Sequence, residues 1–319
     1  MKIVITARNF STGDDAAVRL LTDAGYEVVD LSEADMGTGT PEETVLAAVR
    51  DADAVIAGLE PFSAHVLDNC PDLRVVSRRG IGYDSVDLDA CRRNRITLAR
   101  TVGAVEGSVA EQVLAYILWF SRRLDLQNAS MHKGEWKRTM MPGAKTRRLG
   151  LVGFGGIGKE IARRARPFDM EIVYNCRHPN SHWEEEYGVE YMPLDRLLAT
   201  CDYVSVNVPL TESTHGMFDA AAFAKMKPGS VFINIARGPV ADAHALRAAL
   251  DSGHLAGAGI DVFDCEPCTD SPLVGCSKAL LTPHTSTYTS ENFTAMNIIA
   301  ARNVLDFFAG TLDEKYIVG

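Results

Sequence analysis

Leu149-Gly-Leu-Val-Gly-Phe-Gly-Gly-Ile-Gly-Lys-Glu-Ile-Ala-Arg-Arg-Ala165 is the stretch that decides the fold. An apolar, strand-like run at 149–152 enters a Gly153-x-Gly155-x-x-Gly158 turn, and the sequence from Lys159 onward is helix-forming. Alone the glycine spacing is weak evidence; between a strand and a helix it has a specific physical use. The glycines permit a tight turn and let a pyrophosphate approach the outward-pointing amides of the helix N-terminus. The plainer use of the same glycines is close packing of helix on strand.

Similar apolar runs recur on both sides. Upstream they fall at 3–5, 27–31, 54–57, 73–77 and 96–99, and downstream at 170–174, 203–206, 230–235, 256–260 and 279–281, with helical sequence between. Such alternation predicts βα units on parallel sheets, and two series predict two doubly wound α/β domains. Helices are expected at 14–23, at 41–50 behind Pro41, at 108–124 and at 289–309. Residues 131–145 show no period and predict a loop where the domains meet.

At 319 residues, 46% apolar and 23% charged, the chain has room for two domains with substantial cores. A net charge of -10 argues against a generic nucleic-acid surface, and the basic clusters at 92–95 and 163–164 read as solvated helix faces. The opening Met1-Lys-Ile-Val-Ile-Thr6 reads as a strand, not a signal peptide. The longest apolar run, 113–120, is far short of the ~20 residues of a membrane span. Seven scattered cysteines suit a reducing cytoplasm, so a cytoplasmic protein without a membrane or nucleic-acid partner is expected. Cys265-Glu-Pro-Cys268 stands apart. With Cys276 and His284 it offers zinc-type ligands, but the third and fourth are singly and widely spaced, so no metal is expected. A thiol pair sensing oxidation beside Glu266, and incidental cysteines, are the other readings.

Three further segments each place a reactive side chain just beyond an apolar run: Asn234-Ile-Ala-Arg-Gly238, Gly259-Ile-Asp-Val-Phe263 continuing to Glu266-Pro267, and Thr282-Pro-His284. An arginine, a carboxylate and an imidazole are what reduction of a 2-oxo acid requires: a cation for the substrate, a proton donor and an acid that keeps the donor protonated. Arginine's planar fork suits a carboxylate better than lysine's point charge. A hydrogen-bonded carboxylate stabilises imidazolium and keeps a proton available near neutral pH. The strand after the glycine turn ends Tyr174-Asn-Cys-Arg-His178, without the acid that would accept the ribose hydroxyls of NAD. Cys176 stands there instead, followed by Arg177 and by His178 as a possible second cation. This modestly favours NADP(H), with its 2′-phosphate, over NAD(H); an ordinary surface arginine beside Pro179 is the alternative.

Together these segments resemble the D-isomer-specific 2-hydroxyacid dehydrogenases, the family of glyoxylate/hydroxypyruvate reductases, D-lactate dehydrogenases and 3-phosphoglycerate dehydrogenases. The resemblance spans nearly the whole chain and also rests on Ser77-Arg-Arg-Gly-Ile-Gly-Tyr-Asp84, Ser108-Val-Ala-Glu111 and Val208-Pro-Leu-Thr211. It implies an NAD(P)-dependent oxidoreductase in which Arg237 binds the substrate carboxylate, His284 is acid in reduction and base in oxidation, and Glu266 partners His284. It places the amides around Ile81 and Gly82 against the substrate. Gly153, Gly155, Gly156, Ile157, Gly158, Cys176, Arg177, Val208, Pro209, Ile235 and Ala236 fall to the cofactor, and Asp261 to the nicotinamide carboxamide.

The same resemblance implies a discontinuous flavodoxin-like substrate domain, 1–99 plus 288–319, around an inserted Rossmann dinucleotide domain, 100–287. The helices at 108–124 and 289–309 would form the hinge of a closure that excludes water. A homodimer through the cofactor domain and a short form without a regulatory domain are also implied. Cys176, and Val105 where many relatives carry Asn, depart from the family pattern. Substrate identity stays open: Arg78 and Arg79 suit a phosphate or second carboxylate, or pair with a nearby Asp. Trp136, Met140, Met141 and Tyr83 suit an apolar side chain. Family members that act as dinucleotide-sensing corepressors with little catalysis share the fold and the trio; here Thr285-Ser-Thr287 lacks the aromatic typical of their site, which favours an enzyme.

Overall fold

The aliphatic runs of the N-terminal third become five strands: β1 (Lys2–Ile5), β2 (Glu27–Asp30), β3 (Ala54–Ala57), β4 (Val75–Arg78) and β5 (Thr97–Arg100). They pair in parallel in the order β2-β1-β3-β4-β5, the flavodoxin-type doubly wound order. β3 and β4 are buried at every position, which is why they read as unbroken runs instead of alternating. The helix Ser290–Ala309 returns to this sheet and sets Ala300, Ala301 and Val304 among Ile3, Ile5 and Ile56. Ser77 Oγ donates to the Ala300 carbonyl at 2.9 Å.

A second sheet holds β6 (Arg148–Val152), β7 (Glu171–Asn175), β8 (Glu190–Tyr191), β9 (Tyr203–Val206), β10 (Val231–Asn234), β11 (Gly257–Ile260) and β12 (Ala279–Leu281). It is parallel throughout, in the order β12-β11-β10-β9-β6-β7-β8. The direction of winding reverses between β6 and β9, so their carboxyl ends flank the crevice where doubly wound sheets bind ligands. Both sheets are the parallel α/β layers that the sequence predicts.

The computed structural model describes residues 1–318 and divides into two compact units, Glu106–Ser286 and a unit of Met1–Val105 with the segment from Thr287 on. The divisions fall at 105/106 and 286/287, whereas the sequence places them at 99/100 and 287/288. Residues 100–105 finish β5 and its turn before the next helix begins; the Thr101 amide donates to the Gly80 carbonyl at 3.1 Å, and the Gly80 amide to Thr101 Oγ1 at 2.9 Å. That next helix, Glu106–Arg122, stops where Arg123 takes a left-handed φ of 43°. Leu124–His132 is a separate helix, a break that the apolar pattern does not mark. Among the described residues no helix is long and apolar enough to cross a membrane. No group of three or more His, Cys, Asp or Glu side chains among them is placed to hold a metal.

Glu106–Arg122 lies across β11, and this contact explains the strand's Gly-Ala-Gly-Ile sequence. A Cβ on Gly257 would come within 2.4 Å of the Phe120 ring, and one on Gly259 within 2.6 Å of the Tyr116 ring. Tyr116 is fully buried and its hydroxyl reaches Thr282 Oγ1 at 2.5 Å. Replacing Gly259 by Val should therefore overpack this layer and cost roughly 2–3 kcal/mol. Urea denaturation of Gly259→Val checks this; wild-type stability in the variant would contradict the contact.

Candidate active site

Three neighbouring strands deliver the reactive trio. β10 leads into Arg237, β11 into Glu266 and β12 into His284, and the strands lie side by side with Asn234 opposite Ile260 and Ile260 opposite Leu281. Glu266 occupies the middle loop. Its Oε2 lies 2.6 Å from His284 Nδ1, and its Oε1 accepts from the Phe263 amide at 2.9 Å. The imidazole and carboxylate side chains are 29% and 24% exposed, so the pair is sheltered but reachable. His284 Nε2 makes no hydrogen bond among the described residues. Burial pushes the Glu266 carboxyl up, but the His284 hydrogen bond and charge, the Phe263 amide and the Arg237 charge outweigh it and hold the group below its ordinary 4.5.

Asp261 builds the loop that carries His284. It is fully buried. Its Oδ1 accepts from Thr282 Oγ1 at 2.5 Å and the Thr285 amide at 2.9 Å, and its Oδ2 accepts from the Ser286 amide at 3.0 Å. The His284 amide donates to the Asp261 carbonyl at 2.8 Å, and His284 itself sits at a φ of 52°. A non-glycine residue in the left-handed region persists only where its surroundings over-determine it, and bonds on both flanks of His284 do so here. The carboxylate of Asp261 thus turns toward residues 282–286, a positioning task that the sequence reading missed. The hydroxyl and amide donors of Thr282, Thr285 and Ser286 were its available signal.

Arg237 is held on the adjacent loop. Asn234, buried at the end of β10, donates through Nδ2 to the Arg237 carbonyl at 2.9 Å and accepts the Ala236 amide at 3.0 Å. The guanidinium donates to the Ala236 carbonyl at 2.7 Å. Gly238 admits no side chain, since its Cβ would lie 2.0 Å from the Phe263 carbonyl carbon. Backbone against backbone, the Arg237 loop and the start of the Glu266 loop are therefore locked together.

The glycine turn follows β6 as the strand-to-helix pattern requires, with the helix at Gly156–Ala165. Gly153 has a φ of 95°, and its Cβ would meet the Asn207–Val208 peptide at 2.8 Å; a Cβ on Gly158 would lie 2.6 Å from the Gly153 carbonyl oxygen. Gly155 is different, because a Cβ there meets nothing within 4 Å. Two glycines are thus required by the turn, and the third keeps the approach to the first-turn amides clear, an arrangement that fits a pyrophosphate. Glu106, unnoticed in the sequence, lies against this start: a Cβ on Gly156 would come within 3.0 Å of its Cγ. Phe154 packs against Tyr174, Trp183 and Tyr187, which fixes the end of β7. Beyond that end Cys176 is half-buried, and burial, opposed by the His178 amide, pushes its thiol up. Arg177 is exposed and forms no ion pair among the described residues. Val208 is half-buried, Pro209 exposed, and Ile235 and Ala236 buried.

In the other unit Ile81 and Gly82 are half-buried in the loop after β4. Arg78 is buried with its guanidinium donating to the Arg79 carbonyl, and Arg79 stacks over Phe293 at 4.8 Å and reaches Asn297 Oδ1 at 3.5 Å. Trp136 and Met140 are 77% and 95% exposed, so they line no pocket in their own unit.

Comparison with known proteins agrees with this geometry. Residues 114–286 match the family model described as D-isomer specific 2-hydroxyacid dehydrogenase, NAD binding domain. The glyoxylate reductase of Pyrococcus furiosus is 36% identical over 289 residues, covering 87% of this chain and 85% of that enzyme. Glyoxylate/hydroxypyruvate reductase B of Shigella boydii is 36% identical over 274 residues, covering 84% and 85% respectively. A glyoxylate reductase structure from Paecilomyes thermophila superposes with a TM-score of 0.86 at 27% identity, over 100% of this chain and 97% of that one.

The depressed Glu266 carboxyl carries a pH signature. Because its folded value lies below 4.5, the stability it contributes is present above about pH 4.5 and is lost as pH falls through the folded value. Glu266→Gln should therefore lose less stability than the wild type on acidification below that point. Chemical denaturation across a pH series tests this, and parallel acid limbs for the two proteins would refute it.

Proposed function

Because the chain belongs to the D-isomer specific 2-hydroxyacid dehydrogenase family, NAD(P)-dependent oxidoreductases acting on 2-hydroxy acids, we propose that Arg237, Glu266 and His284 are its catalytic residues. Its substrates, on this reading, are small 2-oxo acids of the glyoxylate and hydroxypyruvate kind, as the names of its relatives suggest. The observation that carries the proposal is the 2.6 Å Nδ1–Oε2 bond of His284 and Glu266, which leaves the opposite ring nitrogen to work. A peptide-binding role without catalysis is not favoured, because the matched relatives are reductases.

When bound, the nicotinamide dinucleotide exchanges a hydride with the substrate's C2, so that 2-oxo acid, reduced dinucleotide and a proton become 2-hydroxy acid and oxidised dinucleotide. His284 gives that proton from Nε2 to the developing alkoxide and takes it back in the reverse direction. Glu266 holds the ring in the tautomer and orientation that this transfer needs and stabilises the imidazolium. Arg237 pairs with the substrate carboxylate and polarises the 2-oxo group. The amides of Ile81 and Gly82, and with them their unit, are assigned to the substrate. The unit of the glycine turn is assigned to the dinucleotide, with Gly156 and Ile157 at the pyrophosphate and Val208, Pro209, Ile235 and Ala236 flanking it. NADP(H) is favoured over NAD(H) because Arg177 is exposed and no carboxylate stands at Cys176 to repel a 2′-phosphate.

A second copy of the chain is the proposed partner. The helix Leu124–His132 has no buried residue, and Leu124, Leu126, Met131, Trp136 and Met140 all expose apolar surface, a concentration that monomers rarely leave uncovered.

Initial rates on a panel of 2-oxo acids, with NADPH and NADH in parallel, test the catalytic reading. His284→Ala should lower kcat by roughly 10²–10⁴ with every acid. Arg177→Ala should raise KM for NADPH by about tenfold or more, with little change for NADH, through loss of a charge-assisted contact. Undiminished turnover in His284→Ala sinks the acid–base role, and a wild type that works as well with NADH sinks the cofactor preference. Sedimentation analysis should find a dimer, converted to monomer in Trp136→Glu/Met140→Glu; a monomeric wild type at all concentrations refutes the assembly.

A further inference from the structure

We propose that Cys265 and Cys268 form a reversible disulfide, a modification site whose oxidation switches catalysis down. The two thiols bracket Glu266 and Pro267, so the backbone that carries the carboxylate bonded to His284 would be part of the ring that a disulfide closes. Cys265 is exposed and Cys268 is half-buried, whereas Cys70, Cys91, Cys201 and Cys276 are buried. Both line one cavity of about 150 Å³, together with Phe263, Asp264 and Asp270. The chain bends at each of residues 264–267. A chain that bends at every residue between two cysteines three apart can close to the span that a disulfide bridges, Cα atoms about 4.4–6.8 Å apart. A pair closing so short a loop, with one thiol exposed, belongs with labile disulfides and not with structural ones.

In the reduced state Cys268 Sγ points to Asp270 Oδ1 at 3.8 Å, a weak interaction that oxidation has only to replace. The two thiols together give up two electrons and two protons. With a low-molecular-weight disulfide as oxidant, Cys265 first forms a mixed disulfide and releases one small thiol. The Cys268 thiolate then displaces the second, forming the intramolecular bond.

The consequence follows from what the loop holds. Glu266 is tied at 2.6 Å to His284 and at 2.9 Å to the Phe263 amide, and a sulfur–sulfur bond tightens the turn between those ties. The glycine turn follows β6, beyond β10 and β9 in the sheet, and is left untouched. Oxidation should therefore lower kcat and spare dinucleotide binding. The rate effect rests on the role given to Glu266 above; formation of the bond does not.

The test uses the full-length protein, reduced with dithiothreitol and then treated with oxidised glutathione. Peptide mass spectrometry after alkylation reads the bond, initial rates read kcat, and nucleotide fluorescence reads dinucleotide affinity. Expected are a Cys265–Cys268 link and a fall in kcat of about tenfold or more, as loss of a charged hydrogen bond gives. Affinity should stay unchanged and dithiothreitol should restore the rate. C265S and C268S should each keep the reduced rate and resist the oxidant, and C276S should remain sensitive. A glutathione adduct without the link, a link with unchanged kcat, or inactivation of C265S to the wild-type extent would each overturn the proposal. Absence of turnover in the reduced enzyme refutes the catalytic reading and with it the switch, while the link, scored by mass alone, still decides the site.

Discussion

The buried carboxylate of Asp261 is the constraint on which the site's geometry depends. A carboxylate removed from water needs hydrogen-bond partners in the water's place. Asp261 satisfies that demand with Thr282 Oγ1 and the amides of Thr285 and Ser286, all from the segment around His284. The left-handed backbone at His284 is therefore not a local preference of histidine but the conformation left once its neighbours have been claimed. Tyr116 adds a further tie through Thr282. The position of the imidazole is thus set from inside the protein, by a group that need not touch substrate.

Glycines set the spacing of everything around this anchor. Gly259 lets Tyr116 come close enough to reach Thr282, and Gly238 brings the Arg237 loop onto the backbone of Phe263. Gly153 lets the turn after β6 approach the strand end at Asn207 and Val208. In each case a methyl group would meet backbone or a fixed ring, not the movable end of a flexible chain. Close backbone approach, more than side-chain complementarity, draws the loops at the carboxyl end of the second sheet together.

Most of this architecture is legible in the sequence because parallel strands covered on both faces read as continuous apolar runs; β3 and β9 were found at their observed bounds for that reason. The two-residue strand β8 is too short to leave a period, and the break at Arg123 needs a left-handed arginine that no residue preference announces. The trio was legible because Arg237, Glu266 and His284 each follow a strand-like run within a recognisable segment. Roles that depend on side-chain direction were not. Asp261 reads from the sequence as meeting the nicotinamide carboxamide, and its three bonds to Thr282, Thr285 and Ser286 are a further task that the pattern did not announce. Arg79 reads from the sequence as suited equally to an anion or to a nearby Asp, and the structure adds a contact that neither reading contained, stacking on Phe293, distant in the chain. Pattern reports which face of an element is buried; it does not report which neighbour a polar side chain will choose.

The order of the three site strands explains why the carboxylate sits where it does. In the sequence β12-β11-β10 the middle strand carries Glu266, and the outer two carry His284 and Arg237. An anion between two cationic groups is stabilised by both, and both lower the Glu266 carboxyl against the opposing effect of burial. With the negative charge on the central loop, one carboxylate bonds the imidazole of His284 and also feels the charge of Arg237. The same centrality exposes the site to any change in that loop, because residues 261–266 touch both neighbours, through the Asn234 carbonyl and Gly238 on one side and through Thr282 and His284 on the other.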